Sequence, residues 1–203
     1  MREPVVEVTP ARGEVKGVAL VLHGGQEVGH GPTSGRQLAV LRMLPFAWAL
    51  TRAGAHRGLA VWRVRYRVRG WNGSEASPVA DVNEILARLR NTYDVPVILV
   101  GHSMGGRTAL RVAGNPNVAG VAALAPWVPA GEPVAQLAGR HVLFVHGTAD
   151  RTTTLAATRA YAERARQVAA DVRMIDIPGE GHAMLRHPGL WHRLTTEFAL
   201  SLI

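Results

Sequence analysis

The sequence predicts an α/β fold, a three-layer α/β/α sandwich around a mostly parallel central sheet. Three observations predict it. Strand-like and helix-like segments alternate along the whole chain. Several of the strand-like segments are near-continuous apolar runs, as expected where helices cover both faces of a parallel sheet. Each motif with chemical potential follows directly on one of those runs, and open α/β sheets bind ligands outside the carboxyl ends of their strands.

Taken in order, Val5 to Val8 reads as a short strand. Gly17 to Leu22 is a second, ending at His23-Gly24-Gly25. Residues 35–52 carry a helical pattern with an apolar face from Leu38, Leu41, Leu44 and Trp48. Pro45 lies inside it and predicts a kink or two shorter helices. Leu59 to Tyr66 is a strand. Pro78 to Asn91 is a helix, capped by Ser77 with Pro78 in its first position. Strands follow at Val95 to Val100, Val118 to Leu124, Val142 to Val145 and Val172 to Ile177, with helices over about 154–169 and 188–202. There is no repeat, low-complexity tract or linker, so residues 1–203 read as a single domain.

Composition narrows the function classes. The 203 residues, 47% of them apolar, suffice for one buried core and are too few for two comfortable ones. The most apolar stretch, Val118 to Ala130, is broken by two prolines and a glycine and does not read as a membrane span. Met1-Arg2-Glu3-Pro4-Val5 has no apolar segment behind a basic one, so no signal peptide is expected. The absence of cysteine excludes disulfides, a thiolate nucleophile and cysteine-ligated metals, and fits a cytoplasmic location. The net charge of +8 is nearly all arginine, Lys16 being the only lysine. These arginines are scattered and aromatic residues make up only 5%, so neither nucleic acid nor membrane is an expected partner. No pair of histidines has H-x-x-x-H spacing with a carboxylate nearby, so no metal site is expected.

The most informative stretch is Gly101-His102-Ser103-Met104-Gly105, between the run ending at Val100 and a helix-like segment from Gly106. A serine on a tight strand-to-helix turn is strained, and its hydroxyl is thrown clear of the sheet. Small residues at 101 and 105 let the turn close. The turn also aims the Met104 N–H and the positive end of the next helix at any oxyanion formed nearby. Ser103 is thus the candidate nucleophile.

Serine needs a base, and the base needs an orienting acid. For this kind of sheet the expected chain order is serine, carboxylate, histidine. Asp150 follows the strand 142–145 in His146-Gly147-Thr148-Ala149-Asp150, and His182 follows the strand 172–177 in Pro178-Gly179-Glu180-Gly181-His182. The rival acid is Glu132, in the preceding loop. Asp171 and Asp176 are poorly placed, and His187 and His192 belong to the last helix. His102 should pack beside the turn. For the second oxyanion donor, His23-Gly24-Gly25-Gln26 offers Gly25 first and Gln26 second, with glycine permitting close approach.

These residues together resemble the α/β-hydrolase superfamily over essentially the whole chain: His23-Gly24-Gly25, the turn around Ser103, Asp150 in H-G-x-x-D and His182 in G-x-G-H. The segments RYRVRGWNG, PVILVGHSMGGRTA and ALAPWVP are similar to small bacterial hydrolases. The resemblance implies hydrolysis of an ester or thioester through an acyl-enzyme, a small-molecule acyl substrate and no cofactor. Acyl transfer, amide or dienelactone cleavage, and a non-catalytic binding protein on the same fold stay open, as does the oligomeric state. One departure is plain. Only about fifteen residues separate the strand 118–124 from the next, too few for a helical lid. An open, shallow pocket is expected, without interfacial activation of the lipase kind. Epoxide and haloalkane hydrolysis use an aspartate where Ser103 stands. Trp71, Trp127 and Met184 follow strands or motifs and are candidate apolar walls. Arg63, Arg65, Arg67 and Arg69 alternate with apolar residues; they either read an acidic substrate or, the preferred expectation, bond structurally to loop carbonyls and carboxylates.

Overall fold

A computed structural model of the chain describes residues 3–203. The expected leaderless start at Met1 and Arg2 lies outside the described residues. The strands are β1 (Val5–Thr9), β2 (Gly17–Leu22), β3 (Leu59–Arg65), β4 (Val97–His102), β5 (Val118–Leu124), β6 (His141–Gly147) and β7 (Asp171–Ile177). They form one seven-stranded sheet in the order β1-β3-β2-β4-β5-β6-β7. Every neighbouring pair is parallel except β1, which runs antiparallel to β3. The chain builds outward from β2 in one direction and from β4 in the other, so the strand order reverses between them. A crevice opens at the carboxyl ends of such a pair.

The helices are α1 (Leu38–Leu41), α2 (Leu44–Gly54), α3 (Ser77–Arg90), α4 (Met104–Val112), α5 (Leu155–Ala165) and α6 (Pro188–Leu200). Strand alternation sorts the apolar side chains into two cores. Val18, Leu20 and Leu22 of β2 face Val82 and Ile85 of α3, Leu110 of α4 and Tyr161 of α5. Ala19 and Val21 face Phe46 and Leu50 of α2 and Trp191 and Phe198 of α6. Both layers are needed because β2 and β4 are buried along their whole length. The three-layer α/β/α architecture is therefore as the sequence predicts.

Two local expectations are corrected. The region 35–52 does split, with Pro45 in the first turn of α2. The split resets the helical face. Met43, Phe46, Ala47 and Leu50 are buried, whereas Leu38, Leu41 and Trp48 of the expected face are exposed. Ser77 does not cap α3. Ala76, at φ 43°, is the cap residue, and Ser77 is already helical, its hydroxyl donating to Glu75 at 3.2 Å. Between β5 and β6, residues 125–140 contain only a short 3-10 turn at Ala135–Leu137, so no helical lid covers the strand ends. No helix among the described residues is long and apolar enough to cross a membrane.

Candidate active site

Ser103 alone makes the turn from β4 to α4. Its backbone lies at φ 56° and ψ −118°, a region that a residue with a Cβ occupies only when its surroundings impose it. The constraints are specific. The Ser103 N–H donates to the Leu124 carbonyl at 3.0 Å, and the Ser103 carbonyl accepts from the N–H groups of Arg107 and Trp127, each at 3.1 Å. A Cβ at Gly101 would collide with the Gly105 carbonyl, and one at Gly105 would meet the Leu22 and His23 carbonyl oxygens at 2.5 Å. The turn closes only with glycine at both positions. Among the described residues Ser103 Oγ has no hydrogen-bond partner, and it is not sealed from solvent.

The candidate base and acid come from the two loops beyond. His182 Nδ1–H donates to Asp150 Oδ2 at 2.7 Å. In the neutral ring that bond places the lone pair on the other nitrogen, Nε2, which makes no hydrogen bond among the described residues. The Asp150 carboxylate is buried and densely solvated by protein. Oδ1 accepts from the N–H groups of Thr152 at 2.8 Å and Thr153 at 3.0 Å. Oδ2 also accepts from the Thr153 hydroxyl at 2.9 Å and lies 3.3 Å from His146 Nε2. Burial alone would raise the acid's pKa, but the donors of His146, His182, Thr153 and Thr152 outweigh it and hold the carboxyl well below the usual range. Asp150 is thus both a turn former and the partner of His182. Among the described residues no hydrogen bond joins His182 Nε2 to Ser103 Oγ; the expected three-way contact is seen at the Asp150–His182 link and not at the serine. Catalytic hydrogen bonds of this kind commonly tighten only when substrate arrives.

His102 ties the turn at Ser103 to His182. Its Nε2–H donates to the His182 carbonyl at 3.0 Å, and the two rings lie 4.6 Å apart. Burial, with the nearby charges of His182 and Arg42, lowers its pKa to about 3, so the ring is neutral. On the opposite side, burial lowers the His23 pKa to about 4. His23 Nδ1–H donates to the Gly24 carbonyl at 2.6 Å, and Nε2 accepts from the Tyr66 N–H at 3.3 Å. Those bonds fix the loop 23–26. In that loop the Gly25 N–H has no acceptor among the described residues, nor does the Met104 N–H at the start of α4. Gly25 must lack a side chain because a Cβ would strike the Met104 side chain and the Arg69 carbonyl. Gln26 is corrected as an oxyanion donor: its N–H is spent on the Arg69 carbonyl at 3.0 Å.

A cavity of about 330 Å³ opens beside this loop, lined by His23, Gly24, Gly25, Gln26, Gln37, Ala39 and Arg69. Gly24 abuts His102 and Ser103, so the cavity adjoins the turn. A larger cleft of about 630 Å³, around His30, Arg67, Ser77 and Asp81, includes none of the residues just described.

The profile of the alpha/beta hydrolase family matches residues 19–143, from within β2 to the first part of β6. The chain belongs to the alpha/beta hydrolase family. Solved structures share its fold. An alpha-beta serine hydrolase homologue from Coxiella burnetii aligns over 96% of this chain and 91% of its own at 18% identity and a TM-score of 0.71. A monoacylglycerol lipase from Paleococcus ferrophilus aligns over 100% of both chains at 17% identity and a TM-score of 0.72. A thermophilic esterase, Est2, from the Planctomycetes species Thermogutta terrifontis, in its propionate-bound form, aligns over 98% of this chain and 88% of its own, at 17% identity and a TM-score of 0.73. No curated protein sequence matches the chain.

The matched segment of this alpha/beta hydrolase includes Gly25 and Ser103 and stops short of Asp150 and His182, which enter through geometry alone. Glu132 does not approach His182. It is buried against Arg107, at 2.7 and 2.8 Å, and Arg111. Trp71 and Met184 are corrected as pocket walls: both are buried in the two cores. Trp127 is half-buried and packs edge-to-face with Trp71, and the Arg107 guanidinium lies 4.5 and 3.8 Å from the two ring centres. Sequence reasoning missed three supports. His146 accepts from the Thr158 hydroxyl at 2.9 Å, which leaves its Nε2–H for the Thr153 carbonyl and Asp150. Thr153 bonds both members of the acid–base pair. Glu180 is buried, and its carboxylate accepts from the N–H groups of Gly181 at 2.9 Å, Arg186 at 3.3 Å and His187 at 2.8 Å, which shapes the loop holding His182. Glu180 alone carried a sequence signal, a carboxylate inside the glycine-rich loop.

Proposed function

We propose that this alpha/beta hydrolase is a serine hydrolase that cleaves small carboxylesters or thioesters through an acyl-enzyme. The observation that carries the reading is the Asp150–His182 hydrogen bond beside a serine held at positive φ. Ser103 Oγ attacks the acyl carbonyl carbon and His182 Nε2 takes the hydroxyl proton. The negative charge that develops on the carbonyl oxygen is met by the N–H groups of Met104 and Gly25. Asp150 holds the imidazole in the required tautomer and offsets its positive charge. As the tetrahedral species collapses, the bond to the leaving group breaks and His182 returns the proton to it. Water then repeats the sequence on the acyl-enzyme and releases the acid. The uncovered strand ends suit small soluble substrates, and the propionate-bound form of the Thermogutta esterase favours a short acyl group. The cysteine-free chain favours a cytoplasmic location.

Ser103→Ala tests the assignment with p-nitrophenyl acetate. Turnover should fall by roughly 10³-fold or more while the far-UV and near-UV circular dichroism stay as in the parent. Esterase activity equal to the parent's would remove Ser103 from the reaction.

A further inference from the structure

We propose that the cavity beside the oxyanion loop receives an anionic group of the substrate, a carboxylate or phosphate a few bonds from the scissile carbonyl, through the Arg69 guanidinium and the Gln37 amide. The inference rests on the serine-hydrolase reading and adds the charge of the substrate to it.

The four alternating arginines divide cleanly. Arg63 is ion-paired with Glu7. Arg65 donates to the Thr33 carbonyl at 3.2 Å. Arg67 is paired with Asp81 at 2.5 Å. These three are structural, as the sequence led us to prefer. Arg69 differs. Its Nε donates to the Pro32 carbonyl at 3.2 Å, and its guanidinium lies against Gly31, where a Cβ would sit 3.3 Å from Cζ. The group is thereby held in place, while its two terminal nitrogens have no acceptor and no carboxylate lies within ion-pairing distance among the described residues. It lines the cavity that adjoins the oxyanion loop. Gln37, on the same wall, has a side-chain amide with no partner. Glu27, two residues past Gly25, forms no ion pair with Arg69.

An excess of eight positive charges guarantees that some arginines lack partners. Arg52 and Arg90 are such cases; like Arg69 they are exposed, but neither lines a cavity beside the oxyanion loop. Arg69 faces a cavity that touches the oxyanion loop. A neutral chain placed there would leave fixed donors against apolar atoms, whereas a carboxylate or phosphate matches the planar fork with two oxygens.

The test compares kcat/KM for anionic and neutral partners of matched size. One pair carries the charge on the acyl group (p-nitrophenyl hydrogen glutarate against p-nitrophenyl pentanoate). The other carries it on the leaving group (4-acetoxybenzoate against its methyl ester). In one pair, Arg69→Met should lower the anionic-to-neutral ratio about tenfold, mainly through KM, the scale of one charge-assisted contact at an open site. In the parent protein the same ratio should fall as salt is raised to about 0.5 M. Ratios that respond neither to salt in the parent nor to Arg69→Met or Gln37→Leu would overturn the proposal. If neither pair turns over, protection of Ser103 from a fluorophosphonate probe by glutarate or inorganic phosphate gives the readout: protection supports the proposal and its absence overturns it. Failure of the probe to label Ser103 at all would instead sink the serine-hydrolase reading beneath it.

Discussion

The loops after β5 and β6 each bury one carboxylate, and the two are held by opposite kinds of partner. Glu132 meets guanidinium groups on successive turns of α4, from Arg107 and Arg111. Its charge is quenched on the spot, and it ties the loop to the helix that starts at the nucleophile. Among the described residues Asp150 meets no arginine. Backbone N–H groups, a hydroxyl and two imidazoles surround it. These donors keep it ionised without a guanidinium to cancel its charge, so in the proposed reaction a proton arriving on His182 would find an unspent negative partner. A buried acid is therefore a clamp or an orienting group according to the charge of its neighbours, not its depth.

The comparison makes graded predictions. Asp150→Asn should lower kcat/KM for p-nitrophenyl acetate by roughly 10³–10⁴-fold, because the amide favours the wrong imidazole tautomer. Glu132→Gln should do the reverse: it should cost about 3 kcal/mol in urea unfolding, through an Arg107 left buried with half its partner, and lower kcat/KM by less than about tenfold. A stable but inactive Glu132→Gln protein would break the comparison.

Next in size is acid lability. The native pKa values of His23 and His102, about 4 and about 3, lie below the ordinary 6.5. As pH falls below 6.5, the unfolded chain binds protons that the native protein refuses. Stability is therefore full above that value and lost on the way down. Between pH 7 and 5 each ring should account for roughly 2 kcal/mol, seen as a falling Tm in calorimetry. His146→Leu sharpens the comparison with the smallest effect. Loss of its donor leaves more charge on Asp150, so the acid limb of kcat/KM should move to higher pH and the plateau should drop by about tenfold.

What the sequence made legible follows from how local each signal is. The turn at Ser103 is written in consecutive residues, since glycine at 101 and 105 is a contact requirement. The α/β/α layering shows in the unbroken apolar runs of β2, β4 and β5. The face of the helix at 44–54 was misread because Pro45 starts a new helix and resets which side is buried. Gln26 was retained as a donor because its pairing with the Arg69 carbonyl joins residues far apart in sequence. Glu132 remained an alternative for the same reason: nothing near it in sequence announces Arg107 and Arg111. Trp71 and Met184 follow motifs, but apolar residues after a strand end can turn into the core as readily as toward a pocket.

The most direct test is the rate at which a fluorophosphonate probe acylates Ser103 in three proteins, with the site identified by peptide mass spectrometry. Rapid labelling of Ser103 in the parent, labelling within about tenfold of it in folded Glu132→Gln, and labelling slowed by roughly 10³-fold in Asp150→Asn is the predicted result. Equal rates in the parent and Asp150→Asn, or a label on any residue other than Ser103, would contradict it.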